Sequence, residues 1–184
     1  MHVHTILWRR LDLPGHDACR FLETADGFRV EGTAVFREGD GPALLSYEVE
    51  CDADWHARTG RIRGWIGSQP IEREVARHDG NLWILDRKPV SGLDDCLDLD
   101  LGFTPATNLF QLRRIALDVG DEATFHVAWL DCSSKTIERV EQRYRRLSLD
   151  SYTYESPRFG YSAILLTNSD GHVTNYPGLW VAES

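Results

Sequence analysis

Apolar and polar residues alternate along much of this chain. In Leu45-Ser46-Tyr47-Glu48-Val49-Glu50-Cys51 the odd positions are apolar and the even ones polar. In Ala123-Thr124-Phe125-His126-Val127-Ala128-Trp129 the odd positions again carry the apolar face. A period of two buries one face of a strand and wets the other. The same reading predicts strands over Phe28–Phe36, Gly60–Ile66, Ile71–His78, Leu82–Asp86, Leu109–Leu117, Tyr161–Thr167 and Val173–Val181. Asp-Gly pairs at Asp26-Gly27, Asp40-Gly41, Asp79-Gly80 and Asp170-Gly171 supply hairpin turns between β-prone runs.

Two stretches read differently. From Lys135 to Leu147, Ile137, Val140, Tyr144 and Leu147 fall at helical spacing, while Val140, Gln142 and Tyr144 also alternate, so the residues alone allow helix or strand. Asp52–Arg58 allows a helical turn too short to stand alone. A weak internal repeat relates about 28–92 to about 96–182, with Ser148–Arg158 as an insertion in the second copy. It reads either as a duplication or as the likeness any two meanders share. With no linker-like run, residues 1–184 read as a single, mainly β domain with little helix.

Composition narrows the function. A net charge of -9 is a poor match to phosphate backbones, so nucleic acid is not the expected partner. No stretch approaches a transmembrane segment, and the N-terminus lacks the pattern of a secretory signal, so a cytoplasmic location is expected. Cys19, Cys51, Cys96 and Cys132 lie far apart, as free buried thiols do in a reducing compartment. The histidines match no metal-ligand spacing, and nucleotide and serine-hydrolase motifs are missing, so neither a metal nor a cofactor is expected.

The densest polar cluster starts at Asp94. Asp98 and Asp100 share a face if the segment is extended, Thr104, Thr107 and Asn108 form a turn-like stretch, and Arg113 and Arg114 follow. Carboxylates and an amide can read sugar hydroxyls, while guanidinium groups orient a carboxylate or phosphate. The alternative is a buried Asp–Arg network around a turn. The two aspartates loosely match the separation used in glycoside hydrolysis, which makes them candidate catalytic carboxylates; leaving the same strand face, they bracket a bond poorly. Trp65, Trp83, Trp129, Tyr144, Tyr176 and Trp180 could line a cavity and stack on sugar rings or acyl chains, or could simply pack the core. Arg139, Arg143, Arg145 and Arg146 read as a solvated face or an anionic head-group site.

The segments Asp98-Leu99-Asp100-Leu101, Thr104-Pro105, Thr107-Asn108 and Arg113-Arg114 resemble the putative glycolipid-binding family, a bacterial group first defined as a domain of unknown function. Tyr47 with Trp55, Gln142-Arg143-Tyr144, and Asp170-Gly171 followed by Tyr176-Pro177-Gly178-Leu179-Trp180 extend the resemblance over nearly the whole chain. Leu109-Phe110-Gln111-Leu112 departs from it. The resemblance implies a spiral β-roll of antiparallel strands over an apolar interior, and favours a strand for Lys135–Leu147. It also implies an amphiphilic ligand, a glycolipid. The expected head-group contacts are then Asp98, Asp100, Thr104, Thr107, Asn108, Arg113 and Arg114, with Tyr47, Trp129, Tyr144 and Tyr176 bordering an apolar cavity. An enzyme of glycolipid metabolism and a ligand-free partner-binding module are the rival readings.

Overall fold

The structure, a computed structural model, describes residues 3–39, 41–78 and 81–183. The first arm of the chain forms β1 (Val3–Arg10), β2 (Gly15–Thr24), β3 (Gly27–Glu38), β4 (Gly41–Asp52), β5 (Ala57–Ile66), β6 (Gln69–His78), β7 (Leu82–Leu85) and β8 (Lys88–Val90). A connecting stretch then carries β9 (Leu99–Leu101) and helix α1 (Asn108–Ile115). The second arm holds β10 (Glu122–Leu130), β11 (Glu138–Arg146), β12 (Ser151–Ser156), β13 (Tyr161–Thr167), β14 (Val173–Tyr176) and β15 (Trp180–Glu183).

The described strands make one sheet of 15, in the order β8-β7-β6-β5-β4-β3-β2-β1-β15-β14-β13-β12-β11-β10-β9. Neighbours are antiparallel except β9 and β10, which run parallel. Successive hairpins build each arm, and the two arms meet at its middle, where β1 pairs with β15 (Trp8 opposite Ala182, Arg10 opposite Trp180). Across that seam the Trp8 indole N–H donates to the Val173 carbonyl at 2.6 Å.

Alternation sets the inner face of the first arm. Cross-strand neighbours Cys19, Gly32, Tyr47 and Ile62 point inward, as do Phe21, Val30, Val49 and Gly60 in the next row. Helix α1 lies against this face. Its Leu109 and Phe110 join the large core with Trp8, Trp83 and Leu99. Leu112 joins a second core with Tyr144, Tyr152, Tyr154 and Leu165 from the other arm. The sheet therefore wraps the helix from both sides, which buries apolar area at about 25 cal/mol per Å².

Several expectations need correction. Leu109–Leu117 is not a strand. Leu and Arg favour helix, and this stretch buries Asn108, Leu109, Phe110, Gln111 and Leu112, including both phases of an alternation. The helix ends where Ala116 turns left-handed (φ 42°) and its N–H caps Leu112, with Arg113 and Arg114 in the last turn against the negative end of the dipole. Val173–Val181 is two strands, β14 and β15, broken at Pro177-Gly178, where Leu179 N–H closes a turn on the Tyr176 carbonyl. Ser148–Arg158 contains β12. Asp52–Arg58 is a turn, held by the Asp52 carboxylate accepting from the Asp54 and His56 N–H groups. Lys135–Leu147 contributes the strand β11, as the resemblance implies. Asp26-Gly27 and Asp170-Gly171 stand at the β2–β3 and β13–β14 turns; Asp40 and Asp79-Gly80 lie outside the described residues. The four cysteines are free and buried.

Gly32 is fixed by space. A Cβ there would sit 2.4 Å from the Tyr47 hydroxyl oxygen and 2.7 Å from the Ala18 carbonyl oxygen. The absent side chain lets the Tyr47 ring lie across β3 toward β2. Gly32→Ala is expected to lower stability by about 2 kcal/mol through overpacking, read as a lower midpoint of urea unfolding.

Candidate functional site

Residues 102–107, between β9 and α1, organise the interior polar groups. Thr104 donates its hydroxyl to Asp17 on β2, and the Tyr47 hydroxyl donates to the same Asp17 oxygen, Oδ2, at 2.9 Å. Three residues on, Thr107 donates to Asp100 Oδ1 at 2.8 Å, while Gln142 Nε2 on β11 donates to Asp100 Oδ2 at 2.7 Å. Because Thr107 is spent this way, it leaves the helix without a side-chain cap. Asn108 Nδ2 donates to the Tyr144 hydroxyl at 3.0 Å, and that hydroxyl donates to Gln111 Oε1 at 2.9 Å. Asp98 takes a two-pronged contact from Arg114, with Nε–Oδ1 at 2.9 Å and Nη2–Oδ2 at 2.6 Å. The Arg114 guanidinium also lies 4.7 Å from the Phe125 ring centroid.

The network thus gathers Tyr47, Asp98, Asp100, Thr104, Thr107, Asn108, Arg114 and Tyr144, all but Arg114 buried. Three of the expected residues sit elsewhere. Arg113 is exposed, donates to the Asp170 carbonyl at 2.6 Å, and lies 5.8 Å from the Trp55 ring. Trp129 is half-buried against Phe159 and leaves no room for a Cβ at Gly102. Tyr176 belongs to a ring cluster with Tyr154 and Tyr161. Asp17 and Tyr154 are interior polar groups outside the polar run from Asp94; Gln111 lies within that run and His172 follows the Asp170-Gly171 turn, and both are buried.

Electrostatics follow from burial. Desolvation pushes the Asp17 carboxyl up to about 6, opposed by the Thr104 and Tyr47 hydrogen bonds. Desolvation also raises Asp100 and Asp98, against the donors that Thr107 and Gln142 supply to one and Arg114 to the other. It lowers His172 to about 4, and neither ring nitrogen of that residue has a partner. Asp98 and Asp100 are each committed to separate partners inside the fold, so they do not flank a common open space as a hydrolytic pair would. Among the described residues no group of three or more His, Cys, Asp or Glu is placed to hold a metal, and no helix is long and apolar enough to cross a membrane.

In the interior Trp8, Trp83, Phe103, Phe110 and Tyr144 are essentially inaccessible, and α1 packs against side chains of both arms. A large concavity, about 1180 Å³, opens as a groove on the opposite face of β1–β5. Its rows are set by register: Leu7, Ala18, Thr33, Ser46 and Arg63 are successive cross-strand neighbours, and beside them run Thr5, Arg20, Glu31, Glu48 and Arg61. Arg20 pairs with Glu31, Arg61 with Glu48 at 3.3 Å, and the Thr33 and Ser46 hydroxyls lie 3.0 Å apart. The next row on this face holds Val35, Leu44 and Trp65, with Trp65 39% exposed.

Residues 5–182 match a family described as "Putative glycolipid-binding". The chain is also similar to a DUF1089 family protein from Pseudomonas aeruginosa, known from its crystal structure, with a TM-score of 0.78 and 26% identity over 89% of each chain. None of the curated proteins matches it.

Arg114→Gln is expected to cost about 3–5 kcal/mol by stranding the Asp98 carboxylate; adding Asp98→Asn should recover part of that loss in chemical denaturation. Asp17 gives a pH signature. Its folded pKa lies above the unfolded one, so the folded protein keeps a proton that the unfolded chain releases. Its contribution to stability therefore falls as pH rises from about 4 to about 6, by roughly 2–3 kcal/mol in all, and is level outside that window. Asp17→Asn should flatten the fall in urea midpoint across that range; equal slopes in the two proteins would refute the assignment.

Proposed function

The chain belongs to the putative glycolipid-binding family, and we propose that it binds the sugar-bearing head of an amphiphile in the groove across β1–β5. The observation that carries this reading is the composition of that groove: Arg20 and Arg61 flank the adjacent carboxylates of Glu31 and Glu48, beside the hydroxyls of Thr5, Thr33 and Ser46. Sugar hydroxyls each donate and accept, so a surface offering carboxylates, guanidinium groups and hydroxyls side by side suits them. Charged partners make those hydrogen bonds the stronger kind. Its volume suits a sugar head group.

The neighbouring row supplies the apolar half. Trp65 offers an aromatic face to a sugar ring. Val35 and Leu44 continue it along β3 and β4, where the first methylenes of an acyl chain would leave water at about 0.8 kcal/mol each. The interior network of Asp17, Asp98 and Asp100 then serves to hold the sheet in shape beneath the groove, with no catalytic step assigned to it.

The test is co-sedimentation with phosphatidylcholine vesicles that do or do not contain a monoglucosyl diacylglycerol. Binding to the glycolipid vesicles alone is expected. Replacing Arg61 and Arg63 together by Ala should weaken it about tenfold, the loss expected for charge-assisted contacts. Equal binding to both vesicle types, or an unchanged double variant, would sink the proposal.

A further inference from the structure

A separate concavity of about 720 Å³ opens where β4 turns into β5 and β6 ends. Asp52, His56, Arg58, Thr59, Arg77 and His78 line it. Among the described residues its charges are unbalanced. The Asp52 Oδ1 atom is spent on two backbone N–H groups, and its Oδ2 atom stands 3.8 Å from the His56 ring. Among the same residues Arg77 donates to neutral acceptors, the Ala57 carbonyl at 3.3 Å and Asn81 Oδ1 at 2.5 Å, and its buried Nε has no partner. Arg58 is exposed and, among the described residues, forms no ion pair. The nearby carboxylate of Asp98 is already clasped by Arg114. In a chain of net charge -9, this is a cationic recess surrounded by acid.

The backbone at its wall is strained in a way that aims His56. Trp55 holds φ 67°, a left-handed conformation that a bulky side chain rarely adopts. Strain of this kind persists where the surroundings over-determine it, and it collects at ligand clamps. Here two constraints fix the loop. The Asp52 carboxylate grips the N–H groups on either side of Trp55, and the Trp55 ring stacks on Phe28 with centroids 3.7 Å apart. Their combined result is an imidazole set beside Arg58 on the cleft wall.

We infer that this cleft is a phosphate-binding site, in which Arg58 and Arg77 take the oxyanion and the His56 and His78 rings donate to its remaining oxygens. A tetrahedral anion with several terminal oxygens uses donors arriving from different directions, as these four do from two strand ends and a turn. The surplus volume leaves room for the rest of a phosphate ester. The site stands apart from the sugar groove, and its test uses no glycolipid.

The experiment follows the histidine ring resonances by NMR as inorganic phosphate replaces chloride at constant ionic strength. His56 and His78 are expected to shift saturably while His16 stays still. Arg58→Gln should weaken the fitted affinity about tenfold, as loss of one charge-assisted contact does, and Arg158→Gln, on the other arm, should leave it alone. Uniform, unsaturable shifts, or an Arg58→Gln protein that binds like the parent, would overturn the inference. Competition by vesicles containing phosphatidic acid would identify a lipid phosphate as the source; phosphate binding untouched by such vesicles would identify a soluble one.

Discussion

Among the described residues three carboxylates are buried, and each must find donors inside the fold or be neutralised. A buried carboxylate without partners costs several kcal/mol, so the positions of Asp17, Asp98 and Asp100 constrain everything around them. All three are served by residues 104–114: Thr104 for Asp17, Thr107 for Asp100 and Arg114 for Asp98. Asp17 belongs to the first arm of the sheet, and Gln142, the other donor to Asp100, to the second. The short stretch running from the end of β9 through α1 is therefore the joint at which the arms are held in mutual register. Its apolar side chains do the same in a non-directional way, Leu109 and Phe110 facing one core and Leu112 the other.

This arrangement divides labour between the two faces of the sheet. The inner face spends its polar groups on one another and on the helix. The outer face of β1–β5 carries arginine–glutamate pairs that keep access to solvent. Exposed pairs of this kind add little to stability, about 0–1 kcal/mol each. The cleft beyond the strand ends has the opposite character, with Arg58 and Arg77 forming no ion pair among the described residues.

Alternation made much of the sheet legible, because half-buried strands such as β4 and β10 carry their faces in the order of residues. It failed where burial is complete on all sides. Asn108 to Leu112 of α1 are buried in succession, polar and apolar alike, and so short a buried run has no periodic signature distinct from a buried strand. β1 and β2 escaped notice because His and Arg residues interrupt their apolar positions. The polar cluster from Asp98 to Arg114 was visible as a run; the acid it shares with Tyr47 was not. Asp17 stands 87 residues from Thr104 and 30 from Tyr47, and only folding brings them together. The cleft was hidden for the same reason: Arg58 and Arg77 belong to different strands and stand alone in their surroundings.

The seam between β1 and β15 has a consequence for how the molecule is made. During synthesis the β1 strand emerges long before β15, its neighbour on one side, exists. Until then the first arm has an open flank, with unmatched amide and carbonyl groups facing water, and such a flank can recruit another chain. The closing step must also bring distant ends together, which makes it slow relative to hairpin formation. Nascent chains of this protein thus pass through a stage in which one half is shaped and adhesive, and β15 serves as its stopper.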